Sequence, residues 1–240
     1  MFSSDSKRWI TKLWPILILL LVLVTVVWAW PNPTIISDPV CAPPCWNNIQ
    51  PGATTQQEAY RIISELPEVD MDTVKFRGEP RGIFTDIIYF ELKPRDISGE
   101  IHIVDGQVVA ISFSGKSGIT ISDAFAYLGE PTYIINIPTY GGPPLWGSVS
   151  SEIIIINPTV SYCLFYNTRD LSWRLQGQIR PETELSLIIF LDPAFYDEWM
   201  DAGLFSLRTL DGEQTREHLI PWDGYGDLAI KYPQVEIDHP

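Results

Sequence analysis

A chain of 240 residues with 45% apolar and 12% aromatic content can bury a substantial core, which excludes a wholly disordered protein. Its formal net charge of −14 argues against nucleic acid and against adhesion to anionic lipid, both of which attract basic patches. Residues 1–30 hold Asp5, Lys7, Arg8 and Lys12, so the part after them carries about −16.

The chain opens with Lys7, Arg8 and Lys12, followed by an uncharged run from Leu13 to Trp30, LWPILILLLVLVTVVWAW. At about 1.5 Å per helical residue this run just crosses a hydrocarbon core of roughly 30 Å. Basic residues before it and none after it until Arg61 predict a cytoplasmic N-terminus and a translocated remainder. Trp14, Trp28 and Trp30 stand at the ends of the run, where indole rings favour the headgroup region. The reading is a single-pass signal anchor in the cell membrane; the alternative is a signal peptide cleaved after Ala29.

Residues 31–50 are Pro-rich and read as a stiff spacer between the membrane and a domain over 51–240. Cys41-Ala-Pro-Pro-Cys45 lies within this stretch and Cys163 in a later strand-like run. Outside the cytoplasm thiols oxidise, so a local Cys41–Cys45 disulfide is expected, with a Cys45–Cys163 bridge as the rival. The spacing has one residue too many for a thioredoxin-type redox motif.

The first folded element is a helix after Pro51-Gly52-Ala53-Thr54-Thr55. Thr55 and Glu58 form a capping-box pattern, and Ala59, Ile62, Ile63 and Leu66 give the apolar stripe before Pro67. Strand-like runs follow at Phe84–Leu92, Glu100–Val104 and Gln107–Phe113, the last two separated by the hairpin signal Asp105-Gly106. The order then recurs. Gly118-Ile119-Thr120 with Asp123 starts a second short helix, Leu128-Gly129-Glu130-Pro131 ends it, and strands are expected at 133–137, 152–156, 160–166 and 184–191. A short helix is expected from Pro193 to Ala202, with an irregular end. Thr55 aligns with Thr120, Ala59 with Ala124 and Ile63 with Leu128. The fold class is therefore α+β, with antiparallel sheet and short helices in two units, 51–114 and 118–191.

The pattern Gly-x-Thr, short helix, Leu-Gly-x-Pro, then antiparallel strands resembles the module of the SmpA/OmlA outer-membrane assembly lipoproteins. It is also similar to the tandem module of the β-lactamase inhibitor protein. The resemblance covers Gly52–Pro67 and Gly118–Pro131. It implies helices packed on one face of a sheet whose other face binds a protein partner, and no enzyme activity. The lipobox of the assembly lipoproteins is absent here. The start Cys-Ala-Pro-Pro-Cys-Trp before Pro-Gly-Ala-Thr resembles that of membrane-anchored bacterial proteins and implies no activity.

Catalytic chemistry finds little support. Ala110-Ile-Ser-Phe-Ser-Gly115-Lys116-Ser117 fits a relaxed phosphate-loop pattern, but Ala110 replaces the first glycine and the next helix starts too late for Gly-Lys-Ser to form its first turn. It reads as strand and turn. Of His102, His218 and His239, only the first two could serve a Ser-His-Asp triad, and no Gly-x-Ser-x-Gly elbow exists. Acidic residues crowd the region from Asp192 to Asp238. A solvated face accounts for them, with a calcium site around Asp223–Asp227 or a glycan hydrolase built on carboxylates as alternatives. No cofactor or metal is expected. Trp146, Trp222 and Tyr225, in loops rich in Pro and Gly, are the candidate interaction surface.

Overall fold

The computed structural model describes residues 35–36, 41–78, 83–93, 97–140, 149–158, 162–168, 177–202 and 212–235. The expected anchor lies outside these residues. Among the described residues no helix is long and apolar enough to cross a membrane.

Helix α1 spans Gln56–Glu65, and Thr55 Oγ1 accepts the Glu58 N–H at 3.3 Å. Its end follows from Pro67, which forces Leu66 into an extended conformation. Strands β1 (Val69–Arg77), β2 (Asp86–Leu92), β3 (Ile97–Val104) and β4 (Gln107–Gly115) follow as an antiparallel meander. Asp105 and Gly106 both take positive φ, +49° and +79°, the conformation that a tight two-residue hairpin requires. Helix α2 spans Ile121–Leu128 behind a complete capping box between Thr120 and Asp123. After it come β5 (Tyr133–Tyr140), β6 (Val149–Asn157), β7 (Tyr162–Thr168), the short β8 (Gln178–Ile179) and β9 (Leu187–Leu191).

Among the described residues the main sheet has nine strands in the order β1-β2-β3-β4-β9-β7-β6-β5-β10, all antiparallel, where β10 is Ile220–Pro221. The order reads inward in chain sequence from β1 and again from β5. The two halves meet where β4 pairs with β9, centred on Ser112 opposite Ile189. The pairs on either side match: Phe113–Ile188 answers Ile111–Phe190, and Ser114–Leu187 answers Ala110–Leu191. Both helix starts are tied down alike. Gln56 N–H donates to Gly106 and Val108 N–H to Thr54; Ile121 N–H donates to Thr183 and Leu185 N–H to Ile119, each at 2.9 Å.

One sheet face carries Ile88, Phe90, Ile101, Ile111, Phe113, Ile155, Leu164 and Phe190 and is covered by α1, α2 and Trp46. Trp46 stacks on Phe90 at 5.6 Å and meets Phe113 edge-on at 4.9 Å. Gly99 makes room for this packing, since a Cβ there would lie 2.2 Å from the Phe90 ring. The stretch expected to be a spacer is, where described, part of this core: Ile35, Ile36, Trp46 and Ile49 are all buried. The prolines mark non-helical backbone there, but the apolar residues between them supply surface that the sheet buries. Cys41 and Cys45 are joined by a disulfide beside Trp46, and Cys163 is a buried free thiol.

The C-terminal region is more ordered than the irregular end expected. A 3-10 turn at Pro193–Phe195 leads into α3 (Tyr196–Asp201), followed by α4 (Gly212–Glu217), β11 (Gly226–Asp227) and α5 (Leu228–Lys231); β11 pairs with β8. Phe195, Trp199, Met200 and Val235 form the second apolar cluster with the opposite sheet face.

Candidate functional site

Trp146 lies outside the described residues. Trp222 and Tyr225 are half-buried members of an aromatic cluster: Trp222 stacks on Tyr232 at 5.7 Å and meets Phe125 of α2 at 5.4 Å, and Tyr225 lies 6.1 Å from Phe125. The Tyr232 hydroxyl accepts from the Asp223 N–H and donates to the Gly224 carbonyl. Desolvation, with Glu130 and Glu182 nearby, pushes the Tyr225 hydroxyl above the ordinary tyrosine range. These rings fasten the C-terminal loop to α2, and their packing is spent within the chain.

Several of the C-terminal acids are likewise engaged locally. Asp192 caps the 3-10 turn, Asp227 caps α5, Asp197 and Asp201 hold Arg216, and Asp223 pairs with Lys231. Among the described residues no three His, Cys, Asp or Glu side chains converge as a metal site requires. The phosphate-loop-like segment is the end of β4. Ser114 is paired with both Ser98 and Leu187, and the Gly115 N–H donates to Ser186, so these amides are not free to cradle a phosphate.

His102 projects from β3 onto the second sheet face, 4.5 Å from the Phe84 ring. Its Nε2 lies 3.2 Å from Ser112 Oγ and 3.4 Å from Glu100 Oε2. A catalytic relay needs the nucleophile on one ring nitrogen and the orienting acid on the other. Here both approach the same nitrogen, and Ser112 is only 6% exposed. The three form a packed polar cluster.

That cluster marks a divide across the second face. Over β9, β7, β6 and β5 the face is mainly apolar and packs with Phe195, Trp199 and Met200, in a cluster that also takes in Phe84 and, on β2, Ile87. Beyond Ile87, the same face over β1, β2 and β3 carries Lys75, Arg77, Glu91, Ser98 and Glu100, with Tyr89 half-buried and packed against the cluster. At this corner an open groove of about 380 Å³ is lined by Thr73, Lys75, Arg77, Tyr89, Glu91 and Ser98, together with Phe76 and Phe90. The Arg77 guanidinium lies over the Tyr89 ring, 5.7 Å from its centroid. Glu91 stands opposite Ser98 in the register. β1 is also an edge strand, broken by an irregularity between Asp70 and Lys75, with Phe76 and Met71 exposed and Phe76 touching Tyr60 of α1. Sequence reasoning passed over these residues because β1 carries no clean apolar alternation. A period-two reading of Val69–Arg77 would have placed Lys75 and Arg77 on one face.

Comparison with protein-family models, with curated proteins and with solved structures found no match.

Proposed function

We propose that this chain is a non-enzymatic protein-binding module of two tandem helix-plus-sheet units, held at the outer side of the cell membrane by its N-terminal segment. A partner docks on the first half of the second sheet face. The observation that carries this reading is the asymmetry of that face. The chain covers the second half, as far as Ile87 of β2, with its own C-terminal segment, and leaves the outer corner of the first half open, charged and grooved. Monomeric domains place binding surfaces where a rigid sheet presents side chains that their own fold does not use. The matched register about Ser112 and Ile189, and the matched contacts at the two helix starts, support the tandem reading. The resemblance to modules that bind proteins through the sheet face supports the direction of docking. The apolar run over 13–30, with basic residues before it, supports the anchor and its orientation.

The test places a photo-crosslinking residue at Ser98, at Glu91 or, on the outer side of the sealed half, at Glu198, in the full chain in intact cells. The expected result is one discrete adduct from Ser98 and Glu91 and none from Glu198. Adducts from Glu198 alone, or from no position, overturn the docking surface. One observation favours a glycan hydrolase instead: Glu91 and Glu100 share the open face on neighbouring strands, as diagonal neighbours. Turnover of a cell-wall glycan that disappears in Glu91→Gln or Glu100→Gln would establish that reading and displace the binding one.

A further inference from the structure

Of the eight described lysines and arginines in this acidic chain, four stand against a carboxylate. Arg61 meets Glu65 at 3.1 Å, Lys93 meets Asp70 at 2.9 Å, Arg216 meets Asp201 at 2.5 Å and Lys231 meets Asp223 at 3.4 Å. Arg180 is held by the Gln178 amide oxygen, and Lys116 follows β4 on an exposed turn. Lys75 and Arg77 have no carboxylate partner among the described residues, and they occur together. They are two apart on β1, so they project from the same face into the same groove. Arg77 is steadied over the Tyr89 ring, which orients the guanidinium without neutralising it.

The other end of the groove has the opposite character. Glu91 and Ser98 face each other across β2 and β3, while the Thr73 hydroxyl donates to the Asp70 carbonyl and accepts from the Glu91 N–H, tying β1 to β2. The groove is therefore polarised, cationic along β1, with Glu91 of β2 and the Ser98 hydroxyl of β3 on its other side. At about 380 Å³ and open along one side, it admits a short extended segment.

Taking the protein-binding reading above as its premise, we infer that this groove receives an extended acidic segment of the partner protein. Its carboxylates are held by Lys75 and Arg77, and its following residues offer hydrogen-bond donors to Glu91 and Ser98. A guanidinium held in place binds a carboxylate through charge-assisted hydrogen bonds, and the neighbouring ammonium adds a second. The rest of the domain repels polyanions, so an acidic peptide is retained only where cations are concentrated.

The test titrates fluorescein-labelled hexaglutamate against the full chain in uncharged detergent micelles and follows anisotropy, with hexaglutamine and hexalysine as controls. Hexaglutamate should bind, hexaglutamine should not, and raising the salt should weaken the binding. The double variant Lys75→Gln/Arg77→Gln should lose at least about tenfold in affinity, as expected when charge-assisted hydrogen bonds are removed. Lys116→Gln should change nothing. Absence of hexaglutamate binding, or binding that is unchanged in the double variant, overturns the inference. So does stronger binding of an oligogalacturonate than of hexaglutamate, which would make the groove a glycan site. The two readings separate in cells. If the Ser98 crosslink to a partner survives Lys75→Gln/Arg77→Gln undiminished, the docking surface stands and the acidic-segment inference falls. If the crosslink never forms, the docking surface itself falls.

Discussion

The two halves of the sheet share a strand order and, at matched positions, a register, yet outside the matched Ile87 and Ile154 their second faces differ in chemistry. Positions that pair in the same way carry Lys75 in one half and Tyr133 in the other, Arg77 and Ile135, Tyr89 and Ile156, Glu100 and Cys163, His102 and Phe165, Ser112 and Ile189. Backbone pairing is antiparallel on both sides, with register shifts in β1 and β3 of the first half, and does not by itself decide which half is covered. Side chains decide it. Burying a large apolar side chain stabilises by about 1.5–3 kcal/mol, so Phe195, Trp199 and Met200 gain by lying on the second half. The same segment laid on the first half would strip water from Lys75, Arg77 and Glu91 without pairing them. A duplicated scaffold with one face made apolar and the other kept charged thus closes one half and presents the other.

The largest test of this comparison exchanges residues between matched positions. Cys163→Glu gives the sealed half the acid that the open half carries at Glu100. Cys163 is fully buried and in the apolar cluster, so the new carboxylate would have neither water nor a cation. An uncompensated buried charge costs about 3–5 kcal/mol, a large share of the stability of a typical domain. The reverse change, Glu100→Val, alters a partly exposed position and should cost less than about 1 kcal/mol. Urea unfolding of both variants measures the difference. Equal costs would mean that the two faces are not distinguished by burial.

Alkaline pH should separate the halves next. The groups that resist ionisation most strongly cluster in the sealed half. Burial pushes the Cys163 thiol well above its ordinary range, and it pushes the Tyr162 and Tyr196 hydroxyls upward as well. Tyr162 also donates to the Gly129 carbonyl at 2.8 Å. These groups have folded values above their unfolded ones, so their contribution is fully present below the unfolded pKa. As pH rises past about 8.5 for the thiol and about 10 for the tyrosines, the unfolded chain releases protons that the folded chain keeps, and stability falls. The slope is about 1.4 kcal/mol per pH unit for each such group. Urea midpoints should be flat near pH 7 and drop between pH 8.5 and 11, and Cys163→Ala should remove the earliest part of the drop. A wild-type midpoint unchanged to pH 11 would contradict the burial of these groups.

Much of the fold was legible where local chemistry is explicit. Thr55 and Thr120 announced both helix starts, Asp105-Gly106 announced the hairpin, and runs such as Glu152–Ile156 announced central strands. Strand β1 was not legible, because an edge strand interrupted between Asp70 and Lys75 and largely exposed shows neither apolar alternation nor a continuous apolar run. The burial of Ile35, Ile36 and Trp46 was hidden for a different reason. Prolines report backbone conformation, while the surface those residues cover is made by strands distant in sequence. The candidate site suffered from both effects. Trp222 and Tyr225 stood out as aromatic residues near Gly and Pro but are committed to Phe125 and Tyr232, whereas Lys75 and Arg77 gain meaning only from the register that puts them beside Tyr89 and Glu91.

The smallest predicted effect compares two tyrosine hydroxyls, one in each half. Among the described residues the buried Tyr89 hydroxyl has no hydrogen-bond partner, so it loses water on folding without regaining a bond there. The Tyr162 hydroxyl is also enclosed, but it donates to the Gly129 carbonyl. A buried polar group left unmade costs about 1–3 kcal/mol, whereas a made hydrogen bond contributes a net ~1 kcal/mol. Tyr89→Phe should therefore leave stability unchanged or raise it by about 1 kcal/mol, with the ring still in place beneath Arg77. Tyr162→Phe should lower it by about 1 kcal/mol. Urea midpoints at pH 7, with the slope of the transition unchanged, measure both. The opposite signs follow from one rule applied to two environments, and a loss of stability in Tyr89→Phe as large as that in Tyr162→Phe would show that the open half holds its tyrosine by a hydrogen bond after all.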